Sequence, residues 1–271
     1  MKRQAVVFVG DGHCACRYGL YPANCDVYLD AGVRYVPSQS QQVMWEWWQQ
    51  FWTDFVPKVA GDAKRTIVLG GDWLQGVHPR WVTPVTNNTA DQLRIAENVL
   101  RPVIRKRDAV YALRGTEAHV GPSGETEETL ARMLGCVPDR DGQHSRYSLE
   151  LPIGKWAVHA THHISVSSRA LGEIGVVGRD LADIFTEAAR WGGGLPDLFA
   201  RFHGHRACLA QVPVAGKMCT MTTVTGWQLA TPFTWRKRGS KRERPQIGGA
   251  VAVFDNTSYA VHHFVRDIEC H

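Results

Sequence analysis

The chain has 271 residues, 44% of them hydrophobic and 21% charged, with a formal net charge of +5. This is the composition of a soluble globular protein long enough for one large core, and no apolar run nears the roughly 20 residues that span a bilayer. Seven cysteines, an odd number without framework-like spacing, argue against a disulfide scaffold and suit reduced thiols in a cytoplasm.

The N-terminus, MKRQAVVFVGDG, has a basic pair and an apolar run that stops at Asp11, so it reads as a first strand and not a secretory signal. Residues 5–10, 66–70 and 109–114 are short runs rich in Val, Ile and Ala without polar alternation. They predict strands buried on both faces of a sheet. Between the first two, Trp45, Trp48, Trp52 and Phe55 recur at helical spacing, which predicts one aromatic face packed in a core. Between the next two, Asn88 is a candidate N-cap, followed by the apolar stripe Leu93, Ala96, Leu100 and Val103. The β-α-β-α-β order predicts an α/β fold with its site at the carboxyl edge of the sheet.

Further on, residues 145–151 and 155–160 predict two strands joined at Gly154. A helix near 167–191 follows, then strands near 199–203, 206–214, 218–225, 248–255 and 258–266. Short consecutive strands predict hairpins and a second, more antiparallel sheet. No repeat or linker interrupts the chain, so one domain over 1–271 is the economical reading. The segment WRKRGSKRERP contains a basic loop at 236–244. Its residues Arg236, Lys237, Arg238, Lys241 and Arg242, with Trp227 and Trp235 nearby, suit contacts to phosphates and stacking on bases.

Five local features sit where an apolar strand runs out. They are Asp11-Gly12-His13, Gly70-Gly71-Asp72, Gly115-Thr116-Glu117-Ala118-His119, the group His159/His162/His163, and His203-Gly204-His205. Each alone is a weak signal, since a single buried His is usually a satisfied core residue. Together they would converge on one edge, and both Asp-x-His and His-x-His place side chains on the same side of an extended segment. Mixed Asp and His ligands suit borderline divalent ions such as Mn, Fe, Zn or Ni, and concentrating them calls for a cation.

The ordered set D-G-H (11–13), G-D (71–72), G-T-E-A-H (115–119), H-H (162–163) and F-H-G-H (202–205) resembles the calcineurin-like metallophosphoesterase superfamily. With GDWLQGVH, it looks most like the divergent members carried by bacteriophages and prophages. The resemblance implies a four-layer α-β-β-α fold, two sheets stacked as a sandwich and flanked by helices. It implies two divalent metal ions, manganese first, with iron, zinc, nickel or magnesium as alternatives. Asp11, His13 and His205 would hold one ion, Asp72 would bridge, and His203 with His162 or His163 would hold the second. His162 is favoured over His163, and His159 is read as structural.

The third motif departs from the family, in which an Asn ligates metal and a following His contacts the phosphate. Thr116 stands in the Asn place and Glu117 in the His place, with His119 two residues on. Thr116, Glu117 and His119 are therefore alternative carriers of that pair's roles, with His119 first for the leaving-group proton. Arg17 is a candidate for a phosphate oxygen. The implied activity is phosphoric ester hydrolysis by a hydroxide bridging two metals. A phosphodiesterase or nuclease acting on DNA, RNA or a nucleotide is the first choice, in the cytoplasm of a bacterial or phage-infected cell. A phosphomonoesterase comes second, and a non-catalytic metal- or nucleic-acid-binding member third. A thiolate zinc module from Cys14, Cys16 and Cys25, with Cys208, Cys219 or His78, lacks the paired C-x-x-C knuckles such modules use.

Overall fold

A computed structural model describes residues 3–23, 28–29, 32–78, 83–165, 172–214, 216–232, 234 and 246–267. The three apolar runs near the N-terminus form β1 (Gln4–Val9), β2 (Lys64–Leu69) and β3 (Ala109–Leu113), parallel and adjacent. A two-residue strand β4 (Ser145–Arg146) extends this sheet beside β3. On the other side β10 (Gln246–Phe254) pairs antiparallel with β1, and β11 (Tyr259–Asp267) pairs with β10. The second sheet has the order β5-β6-β7-β9-β8, from β5 (Ser148–Ile153), β6 (Trp156–Thr161), β7 (Leu198–Arg201), β8 (Cys208–Val214) and β9 (Lys217–Thr223).

Burial on both faces explains why these strands lack alternation. In β1, Ala5, Val7 and Val9 face one core while Val6 and Phe8 face another. The first core lies under the helices α1 (Gln39–Gln50), α3 (Thr89–Leu100) and α5 (Glu125–Leu134). The second lies between the sheets, where Val6, Phe8, Val68 and Leu113 meet Leu149, Leu151, Val158 and Ala200. A third packs Val176, Val177 and Leu181 of α6 (Gly172–Trp191) on Phe199, Cys219 and Met221. Helix, sheet, sheet and helix are thus the four layers expected.

Local signals account for the helix ends. Ser38 and Gln41 form a capping box at α1, and the Asn88 side chain accepts from the Ala90 and Asp91 N–H groups at α3. The aromatic face is buried, with Trp48 and Trp227 rings 4.9 Å apart, and it continues through a π-helical turn (Phe51–Phe55) into α2 (Val56–Ala60).

Three expectations need correction. The second sheet is mixed: β6–β7 and β7–β9 are parallel, while β5–β6 and β8–β9 are antiparallel. The last hairpin, β10–β11, joins the first sheet, because β1 had an open edge that no earlier strand fills. The buried face of α3 centres on Ile95, Ala96, Val99 and Leu100, leaving Leu93 and Val103 at its margins. Among the described residues, no helix is long and apolar enough to cross a membrane.

Candidate metal centre

Parallel strands from both sheets end at one edge, and the chain turns sharply there. Asp11 follows β1, Asp72 follows β2, Thr116 follows β3, His162 follows β6, and His203 and His205 follow β7. Asp11, His13, Asp72, His203 and His205 all take positive φ, between 41° and 63°. Among the described non-glycine residues, only Ala15 joins them, at 69°. A left-handed backbone costs such residues about 1–2 kcal/mol each, and strain of this kind concentrates where function over-determines the geometry. Five strained Asp and His residues at one edge mark a built site.

Asp11 and Asp72 are 0% and 1% exposed, and His13 is 3% exposed. His205 Nε2 lies 3.0 Å from Asp11 Oδ1, and the His203 N–H donates to Asp11 Oδ2 at 3.3 Å. His162 Nδ1 donates to the Gly70 carbonyl at 2.7 Å, which turns Nε2 towards Asp72 Oδ2, 3.1 Å away. The Thr116 N–H donates to Asp72 Oδ1 at 2.7 Å and its hydroxyl to Oδ2 at 3.1 Å. The same hydroxyl is 3.3 Å from His203 Nδ1 and 3.4 Å from His162 Nε2. Gly115 permits this approach, since a Cβ there would lie 2.0 Å from Asp72 Oδ1.

The donors form three overlapping triads whose ligand atoms lie within 4.8 Å of one another: Asp11/His13/His205, His13/Asp72/His119 and Asp72/His162/His203. The two carboxylates and His13 stand in the protonation states a cation needs, whereas His162 would give up a proton to one. Burial alone would raise the Asp72 carboxyl, but the charge and hydrogen bond of His162 outweigh it and hold the group ionised. Asp11 is likewise lowered against burial, through His205. Burial, aided by the charge of His119, pushes His13 well below the usual imidazole range, so it is neutral. Burial would lower His162 too, but Asp72 raises it to about 10. Neither ring nitrogen of His13 has a hydrogen-bond partner, although both are buried. Unpartnered buried nitrogens are costly, and a divalent ion would supply the missing partner. The residues present therefore fit a pair of cations.

The other sequence candidates fall around this core. His163 is exposed and belongs to none of the triads; its ring is 4.9 Å from that of His162. Glu117 is exposed at the start of α4 (Glu117–Val120), near enough to His163 to act on its charge. Arg17 is exposed and sits near Tyr35, where it opposes the upward push of burial on the phenol. Trp227 is fully buried against Trp48 and Phe51, which removes it from base stacking. Trp235, Arg236, Lys237, Arg238, Lys241 and Arg242 lie outside the described residues, as does Cys25. Cys14 and Cys16 are buried, Cys14 in the helix-side core, Cys208 and Cys219 pack under α6, and no described cysteine enters a triad.

Two residues of this site carry no sequence signal. Glu127 reads as one of several acids in the first turn of α5, where acids are common. It is buried instead, accepting from the Trp73 N–H at 3.1 Å and the Gly115 N–H at 2.7 Å. Burial, reinforced by the charge of Asp72, raises its carboxyl to about 8. Gln75 acts through its main chain: its carbonyl lies 2.7 Å from His119 Nδ1.

No protein-family model and no curated protein matches the sequence. Among solved structures the chain is similar to an archaeal phosphodiesterase, at 10% identity and a TM-score of 0.42, over 96% of this chain and 100% of that one. It is also similar to Vps29 of Chaetomium thermophilum (11%, 0.38, 97% of each chain). A third is the sulfate thiohydrolase SoxB of Thermus thermophilus (13%, 0.44), matched over 97% of this chain and 56% of that one. With TM-scores below 0.5 these likenesses lend this chain no activity, and its chemistry is argued from its own site.

Proposed function

We propose that this protein is a dinuclear metal-dependent phosphoric ester hydrolase of the calcineurin-like metallophosphoesterase type. The observation that carries the reading is the row of three triads joined through His13 and Asp72. Asp11, His13 and His205 would hold one cation and His162 and His203 the other, with Asp72 a member of the two remaining triads. When bound, such a pair polarises a phosphoryl oxygen and lowers the pKa of water towards neutrality.

The chain's own residues prepare that chemistry. Asp72 is ionised and held at both oxygens by Thr116, so its orientation is set before any ligand arrives. His13 enters as a neutral imidazole, and the Gly70 carbonyl fixes the His162 ring. Glu117 and His163 are the exposed groups beside the second triad, where a leaving group would depart towards solvent. Arg17 is an exposed cation just past the first ligands, available to a phosphate oxygen.

The substrate is a phosphodiester in DNA, RNA or a nucleotide, and manganese is the preferred metal. The net charge of +5 and the cations of 236–244 support a polyanionic partner. The five described cysteines, all unpaired, support a reducing cytoplasm. Purified protein loaded with Mn should hydrolyse a bis-aryl phosphate and single-stranded nucleic acid faster than a mono-aryl phosphate. Asp72→Asn should lower that turnover by at least about 100-fold. Preference for the monoester would make the protein a phosphomonoesterase. Bound metal without turnover of either ester would make it a non-catalytic binding protein.

A further inference from the structure

His119 is the residue the sequence offers as proton donor, but its surroundings are those of a ligand. Its ring meets the His13 ring edge-on, with centroids 4.5 Å apart and planes at 76°. Its ligand-capable atom lies within 4.8 Å of those of His13 and Asp72, the spacing that also defines the flanking triads. His119 Nδ1 is 2.7 Å from the Gln75 carbonyl oxygen. A carbonyl only accepts, so Nδ1 carries the proton and Nε2 carries the lone pair of the neutral ring. Metal-ligating histidines characteristically give their second N–H to a carbonyl or carboxylate in this way.

That carbonyl is itself anchored. The Gln75 N–H donates to the Cys14 carbonyl at 2.9 Å, tying the segment to the turn that carries His13. Gln92 is buried in α3; its Oε1 accepts from the Gly76 N–H at 2.9 Å, and its Nε2 donates to the Gly76 carbonyl at 3.1 Å. Gly76 has φ +77°, and a Cβ there would lie 2.7 Å from the His119 carbonyl oxygen. The segment after β2 is therefore pressed against the backbone of His119 itself. Rigid placement of one nitrogen by a backbone group, beside a buried imidazole with no partner of its own, is a coordination geometry in waiting.

We propose that His119 is a metal ligand, coordinating through Nε2 the cation that His13 and Asp72 also hold, with the Gln75 carbonyl as its positioning group. This rests on the metal-dependent reading above and departs from the role that the family pattern implies for an imidazole in the third motif. His119 then compensates within the coordination sphere for a third motif that has Thr in the Asn position.

Metal-free protein titrated calorimetrically with Mn tests this. Wild-type protein should bind two ions, and His119→Ala and His119→Gln should each weaken one of them by at least about tenfold. Both variants should still unfold cooperatively when metal-free, which separates a lost ligand from a lost fold. Two undiminished sites in both variants would overturn the assignment and return His119 to proton transfer. A wild-type protein that binds no divalent ion would instead overturn the metal-dependent reading itself. A measurement on the unaltered chain guards against variants that fail to fold. Co(II)-loaded wild type should show hyperfine-shifted ring N–H resonances from five histidines, namely His13, His119, His162, His203 and His205. Four, with that of His119 at its ordinary position, would overturn the proposal.

Discussion

Glu127 and Glu128 are neighbours in α5, yet they serve two regions built on opposite terms. Glu128 closes the junction between α5 and β4. It accepts from the His144 N–H at 3.0 Å, the Ser145 N–H at 2.8 Å, the Ser145 hydroxyl at 2.9 Å and Arg132 at 3.1 Å. Burial would raise this carboxyl, but the His144 and Ser145 bonds outweigh it and hold it at about 2. Glu127 reaches the strand-end edge, where the backbone is left-handed and His13 has two unpartnered nitrogens. Both regions are made of carboxylates, imidazoles and backbone amides. The junction is completed by its own chain and acts as a fastener. The edge is rigid but incomplete, and a rigid incomplete cluster of donors is a receptor for something from outside.

Metal loading should separate the two regions most strongly. Free Mn at about 1,000 times its dissociation constant should stabilise the fold by about 4 kcal/mol, seen as a higher unfolding midpoint in calorimetry. Asp72→Asn should lose most of that gain, whereas Glu128→Gln should keep it. An unchanged wild-type midpoint would erase the contrast. Next in size is Glu127→Ala, which leaves the buried N–H groups of Trp73 and Gly115 without an acceptor. At about 1–3 kcal/mol for each group, a loss of at least about 2 kcal/mol is expected in denaturant unfolding. A loss below about 1 kcal/mol would mean that the loops hold without the clamp.

The third effect is one of sign with pH, in metal-free protein. Glu128 has a lowered folded pKa, so its stabilisation is complete above about pH 4.5 and is lost as pH falls towards about 2. Glu127 has a raised folded pKa, so its contribution is best below about pH 4.5 and is lost as pH rises towards about 8. Glu127→Gln should flatten the loss between pH 5 and 8, and Glu128→Gln should flatten the acid limb alone. Stability profiles in which both substitutions alter the same limb would show that the neighbours do not occupy opposed environments.

Much of the site was legible because strand ends are legible. An apolar run stopping at Gly-Asp or Gly-Asp-Gly-His shows where β1 and β2 deliver side chains, and the order of the motifs supplies the fold class. The resemblance favoured His162 over His163, but the physical reason was not legible, since it turns on which ring reaches the Gly70 carbonyl from the other sheet. Nor was the partner of β10, because pairing with the open edge of β1 depends on how the second sheet stacks. Glu127 and Gln75 were invisible for a related reason. One looks like an ordinary helix-start acid, and the other works through a carbonyl that every residue has.

Residue order alone determined that Asp and His would gather at the carboxyl ends of parallel strands, because buried β-branched runs must end in turns and those turns carry the motifs. Only the tertiary structure decided how the gathered groups divide the work. It set Asp72 between two triads, left His163 exposed, turned Glu127 inward and anchored His119 on a backbone carbonyl. Those outcomes depend on distances between elements far apart in sequence, and on burial, which leaves the same carboxyl or imidazole a charged group, a neutral one or a clamp.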